Sequence, residues 1–128
     1  MPDFKSIDDC TAEETVRYLK DYFATVDILN EALGKYDTLT SNATSVAGRN
    51  EFRALALEAD RDLVLLKSRR LAFLAGDAEV QPPSQAQVDK AQELSERLAK
   101  IAAKEAQAKA IIKIATDGLS AFNKLHPS

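Results

Sequence analysis

The side chains best able to do chemistry are few. His126 is the only histidine and Cys10 the only cysteine among 128 residues. One imidazole and one thiol are too few for a Glu-x-x-His di-iron site, a His-Glu-x-x-His zinc site or a Cys/His zinc cluster. A Ser–His–Asp triad would have to recruit His126 from the end of the chain, where the sequence predicts a solvated tail. Cys10 has no flanking basic residue to favour its thiolate, so no nucleophile is predicted there. The four glycines, at 34, 48, 76 and 118, are isolated from one another and cannot build a phosphate-cradling loop. No cofactor and no metal are expected.

Carboxylates are plentiful enough that pairs at helical spacing arise by chance. Glu58 with Asp62, Asp89 with Glu93 and Glu93 with Glu96 are such pairs, with Arg61, Lys90 and Arg97 among or beside them. They read as solvated mixed-charge faces. Glu105 stands apart because it interrupts an apolar repeat. From Ala91 to Phe122, nine of the ten positions spaced alternately three and four apart are apolar, and Glu105 is the tenth. A polar residue inside such a seam sets register or partner choice, at some cost in stability. Glu105 is therefore the candidate specificity residue. Lys90, Arg97 and Lys104 fall seven apart beside the seam, where interhelical ion pairs form.

Helices must position these groups. Apolar residues make up 45% of the chain, charged residues 29% and aromatic residues only 6%, the balance of a folded helical protein. Thr11-Ala-Glu-Glu14 and Ser84-Gln-Ala-Gln87 are capping boxes. Gly76 suits the residue just past a helix end. These signals predict helices over about 11–46, 51–75 and 85–124, the last spanning about 60 Å. Gly48-Arg-Asn50 is the expected turn between the first two, with Asn50 as cap. Residues 1–10 and 125–128 are expected to be flexible. The resulting fold is all-α, a single domain over 1–128: an elongated three-helix antiparallel bundle with a coiled-coil-like C-terminal helix.

The middle helix is apolar on more than one side, with four apolar residues in succession at Leu63, Val64, Leu65 and Leu66. Two neighbours cannot cover it fully. Leu63, Val64, Leu66, Arg69, Arg70, Phe73 and Leu74 are accordingly the candidate interaction surface. A net charge of −3 argues against nucleic acid, which needs concentrated positive charge. No apolar run approaches a membrane span, no signal peptide is evident, and a lone cysteine suits a reducing compartment. A cytoplasmic protein is expected, with signal-less secretion left open.

Taken together, these features predict a non-enzymatic helical protein–protein interaction module: an adaptor, a chaperone or an immunity-type partner binder. Its partner is another protein or a second copy of itself. The alternative is a self-assembling component of a larger complex, and a membrane-active helix ranks last.

Overall fold

The structure, a computed structural model, describes residues 3–127. Four helices carry the fold. Helix α1 spans Ala12–Asn42, α2 Val46–Leu74, α3 Gln85–Ala99 and α4 Ala108–Asn123. Single 3-10 turns at Ile7–Asp9 and Glu105–Gln107 precede α1 and α4.

Local chemistry sets most of these boundaries. At the start of α1, Thr11 Oγ1 accepts the Glu14 N–H at 3.1 Å and Glu14 Oε1 accepts the Thr11 N–H at 2.9 Å. The reciprocal pair satisfies two helix-start donors. Ser84 and Gln87 repeat the arrangement at α3. At the end of α2, Gly76 takes φ +81°, while the Asp77 N–H returns to the Ala72 carbonyl at 2.8 Å. That closure needs the left-handed conformation glycine tolerates best.

The first turn differs from expectation. Ser45, not Asn50, caps α2 by accepting the Gly48 N–H at 3.0 Å, so Gly48-Arg-Asn50 lies inside the helix. The break falls within the polar run Thr40–Ser45, whose hydroxyls and amide compete for backbone hydrogen bonds.

The larger correction concerns the third predicted helix. It is two helices, α3 and α4, parted at 100–107, so the bundle has four helices rather than three. The reason is geometric. Before the break the buried residues are Val88, Ala91, Leu94 and Leu98; after it they are Ile111, Ile114, Ala115, Gly118 and Phe122. Leu98 and Ile111 are thirteen residues apart, which on one continuous helix would turn them about 140° away from each other. Breaking the chain lets α4 turn back and bury its own stripe.

Helix α1 is the shared wall, packed against α2, α3 and α4. The three-residue link makes α2 antiparallel to it. Arg17 Nε donates to the Pro83 carbonyl at 2.8 Å, while Leu39 and Leu98 share one cluster, so α3 runs alongside α1 in the same direction. Gly118 meets Ile28 and Phe122 meets Tyr18, so α4 runs back.

Two clusters form the core. One gathers Ile28, Ala32, Tyr36 and Leu39 of α1 with Phe52, Leu94, Leu98, Ile111 and Ile114. The other is aromatic: Tyr18 lies 4.6 Å from Phe73 and 5.7 Å from Phe122, ring centre to ring centre. Val80 and Leu125 complete it, and both belong to non-helical segments. Residues 3–10 and 125–127 are therefore packed against the body rather than flexible as expected, while residues 1, 2 and 128 lie outside the described residues. Lys5 and Val80 exchange both backbone hydrogen bonds, at 2.8 and 2.9 Å. The Gln81 N–H donates to the Leu125 carbonyl at 2.7 Å, and Leu125 and His126 are buried.

Close approach of α4 to α1 depends on Gly118. A Cβ there would stand 2.8 Å from Ile28 Cδ1, and Ile28 is fully enclosed. Gly118→Ala gains about 1 kcal/mol in helix propensity and loses about 2 kcal/mol to overpacking. A net loss of about 1 kcal/mol is expected in urea unfolding. Adding Ile28→Val, which removes the clashing methyl, should relieve most of that strain in a double-mutant cycle.

Candidate functional site

The residues singled out by sequence do not converge on one surface. Leu66 and Phe73 are fully enclosed; they point inward from α2 against α1 and belong to the core. Leu63 packs partly against the same aromatic cluster. Val64 and Leu74 do face solvent. Arg69 and Arg70 are half-buried rather than forming a free basic edge. The Arg70 guanidinium lies 4.8 Å above the Tyr22 ring, a cation–π contact. Glu105 occupies no seam position, because the helix that would hold the seam is interrupted there. It is exposed in the 3-10 turn before α4, and its Oε1 approaches Gly48 in the first turn of α2, the positive end of that helix dipole.

His126 is the second correction. It is buried, and its Nδ1 lies 3.0 Å from the Phe122 carbonyl while its Nε2 lies 2.9 Å from the Tyr18 hydroxyl. A carbonyl can only accept, so Nδ1 carries the proton and Nε2 accepts from the phenol. Burial, reinforced by the nearby Arg69 charge, pushes the imidazole down to about 4. Tyr18 is raised well above the usual phenol range, chiefly by burial. Its side chain is fully enclosed, so no solute reaches the oxygen. The pair is a structural clasp for the end of the chain. Cys10, half-buried, has its thiol raised by burial first and by Glu14 second, the opposite of nucleophile activation.

A concave feature lies between α2 and α4, which stand apart across α1 and leave a groove of about 720 Å³. Its apolar floor and walls come from Leu29 and Tyr36 of α1, Leu55 and Ala59 of α2, and Ile112, Ala115 and Leu119 of α4. The two rims differ in character. Along α2 stand Glu58 and Asp62; along α4 stand Thr116, Ser120 and Asn123, with Lys124 just past its end. Phe4, His126 and Pro127 also line it.

Acceptors dominate the α2 rim, whereas the Lys124 ammonium sets a positive charge at the α4 end. The Asp62 carboxyl is raised by burial and then by the neighbouring Glu58, against a lowering by Arg61. The Tyr36 phenol is pushed up to about 12, first by burial and then by the Glu58 charge. Asn123 Oδ1 is buried without a hydrogen-bond partner. Each of these groups favours a donor or a positive charge arriving in the groove.

In the sequence Glu58 and Asp62 are one carboxylate pair among several, and Ile112, Ala115 and Leu119 belong to a straight seam. Helical spacing was visible, but where α2 and α4 part is a tertiary fact with no local signal. Among the described residues, no group of three or more His, Cys, Asp or Glu side chains is placed to hold a metal ion. No helix there is long and apolar enough to cross a membrane. No family model, curated protein or solved structure matches this chain.

Proposed function

We propose that this chain is a non-enzymatic interaction module whose α2–α4 groove receives an amphipathic helix with a basic edge from another protein. The observation that supports this most is the pairing of an apolar floor with a one-sided acidic rim. A helix laid in the groove would place apolar side chains at i, i+3 or i+4 and i+7 on Leu29, Ala59, Ala115 and Leu119, the helix-in-groove mode of recognition. A lysine or arginine along its α2-facing edge would meet Glu58 and Asp62, and an N–H or hydroxyl on its other edge would meet Asn123. Such an arrangement fits an adaptor, chaperone or immunity-type role. Catalysis is not part of the proposal, because the buried imidazole is committed to Tyr18.

The test is titration of a designed sixteen-residue helical peptide with a leucine stripe and a lysine edge, followed by methyl NMR. Binding is expected to shift Leu29, Ile112 and Leu119 resonances. Replacing Glu58 and Asp62 together by lysine should weaken it about tenfold or more, since two favourable charge contacts become repulsive. A glutamate-edged peptide that binds equally well would sink the reading.

A further inference from the structure

The outward face of α2 carries a second feature that the groove does not use. Leu57, Val64 and Leu71 recur every seven residues and are 59%, 67% and 50% exposed. In phase with them, three or four residues away, lie Ala54, Arg61, Ser68 and Ala75, all exposed. The two sets interleave with three–four spacing for about 32 Å along the helix. That is a heptad seam facing solvent. The opposite side of α2 holds Phe52, Ala59, Leu66 and Phe73, buried against the body. The helix thus has two apolar faces and only one of them is covered.

We infer that a second copy of this chain covers the outward seam of α2, with the two α2 helices antiparallel about a two-fold axis near residues 62 and 63. Charge selects both the occupant and the direction. In a parallel pairing each layer faces its own copy, so Arg61 would face the partner's Arg61 across the seam. An antiparallel pairing sets Arg61 opposite the partner's Val64, Leu57 opposite the partner's Ser68 and Ala54 opposite the partner's Leu71. With the two-fold repeats, six layers close. The same register brings Asp60 beside the partner's Lys67, and Lys67 beside the partner's Asp60. Asp60 and Lys67 are exposed, and among the described residues neither has an ion-pair partner within its own chain. In the four outer layers a large residue meets a small one, which lets the two backbones approach, and a two-fold, self-complementary patch gives a closed dimer rather than a fibre.

The proposal stands apart from the groove and is tested with different residues. Light scattering after size exclusion, at low salt over a hundredfold range of loading concentration, is expected to show a monomer–dimer equilibrium. Val64→Glu should leave a monomer of unchanged helicity. Asp60→Lys and Lys67→Asp should each weaken the dimer about tenfold or more, because both ion pairs become like-charge contacts. An equimolar mixture of those two variants should recover dimer, since only the mixed pair restores opposite charges on both sides. In a Cys10→Ser background, Leu57→Cys with Ser68→Cys should give a disulfide-linked dimer under mild oxidation. A monomer at every concentration overturns the proposal. So does a dimer indifferent to Val64→Glu, or variants whose mixture stays as weak as either alone.

Discussion

Ending the chain at Lys124 is expected to lower the thermal unfolding midpoint by about 10 °C or more. The residues removed include Leu125 and His126, 2% and 7% exposed. Losing a buried leucine costs about 2–5 kcal/mol. The shortened chain also leaves the Tyr18 hydroxyl, fully enclosed in the intact molecule, without its Nε2 acceptor, at about 1–3 kcal/mol more. Water entering the vacated space would offset part of the second term, so a total near 4 kcal/mol is expected. For a domain of this size each kcal/mol shifts the midpoint by about 3–4 °C. Differential scanning calorimetry of the full and shortened chains measures the difference directly. Equal midpoints would show that the clasp between Tyr18 and His126 contributes nothing to the fold.

Asp21→Asn is expected to stabilise the protein at neutral pH and to uncover a pH dependence that the intact chain conceals. Asp21 is 5% exposed, and its side chain meets only the Thr25 hydroxyl, 3.4 Å from Oδ1. Burial raises its carboxyl from 3.8 to about 6, with the Thr25 contact opposing. A raised acid contributes stability that is fully present below its unfolded value and is lost as pH rises through the folded one. At pH 7 the penalty is about 3 kcal/mol. Asparagine escapes it but buries an amide N–H pair, so a net gain of about 1–2 kcal/mol is expected.

The concealed dependence comes from His126. Its folded value, about 4, lies below the ordinary 6.5. Its contribution is therefore complete above pH 6.5 and is lost as pH falls through about 4. Between about pH 4 and 6 the two groups pull stability in opposite directions with equal slopes. In Asp21→Asn only the histidine slope survives, and unfolding free energy should rise about 1.4 kcal/mol per pH unit across that window relative to the parent. His126→Gln, which keeps an acceptor for Tyr18, should tilt the curve the other way. Urea titrations at pH 4.5, 5.5 and 7 read both slopes. Parallel curves for all three proteins would show that neither group is held away from its ordinary value.

Helix starts were legible in sequence where a capping box closes both ways, Thr11 with Glu14 and Ser84 with Gln87, but not at Ser45, which caps α2 without that reciprocal bond. Gly76 likewise marked the end of α2, because only a residue free of a Cβ takes that turn easily. What sequence could not show was the fold-back after Leu98. The run from Ile101 to Lys113 is rich in alanine and lysine, so local propensity favours unbroken helix and alanines fill any apolar template. Tertiary packing decides otherwise, since only a returning α4 can bury Ile111, Ile114 and Phe122 on α1. Val16 and Phe23 fit helical spacing but are 48% and 53% exposed, while polar Asp21 and Thr25 lie on the buried face. For the candidate site, the two acidic rim residues could be read as a pair, and the excess apolar surface of α2 could be read as an excess. Which face of α2 each residue takes required the position of α1.

The placement of α1 as shared wall has a consequence for motion. Its central amides, near Ile28 and Ala32, are covered from several directions at once, so they exchange with solvent only when the whole domain opens. Since α2 and α4 are held mainly through α1 and stand apart across the groove, the width of the groove follows from how each of them packs on α1. On the proposed reading, a guest of larger girth would be admitted by a shift of one wall on α1 rather than by unfolding of the domain.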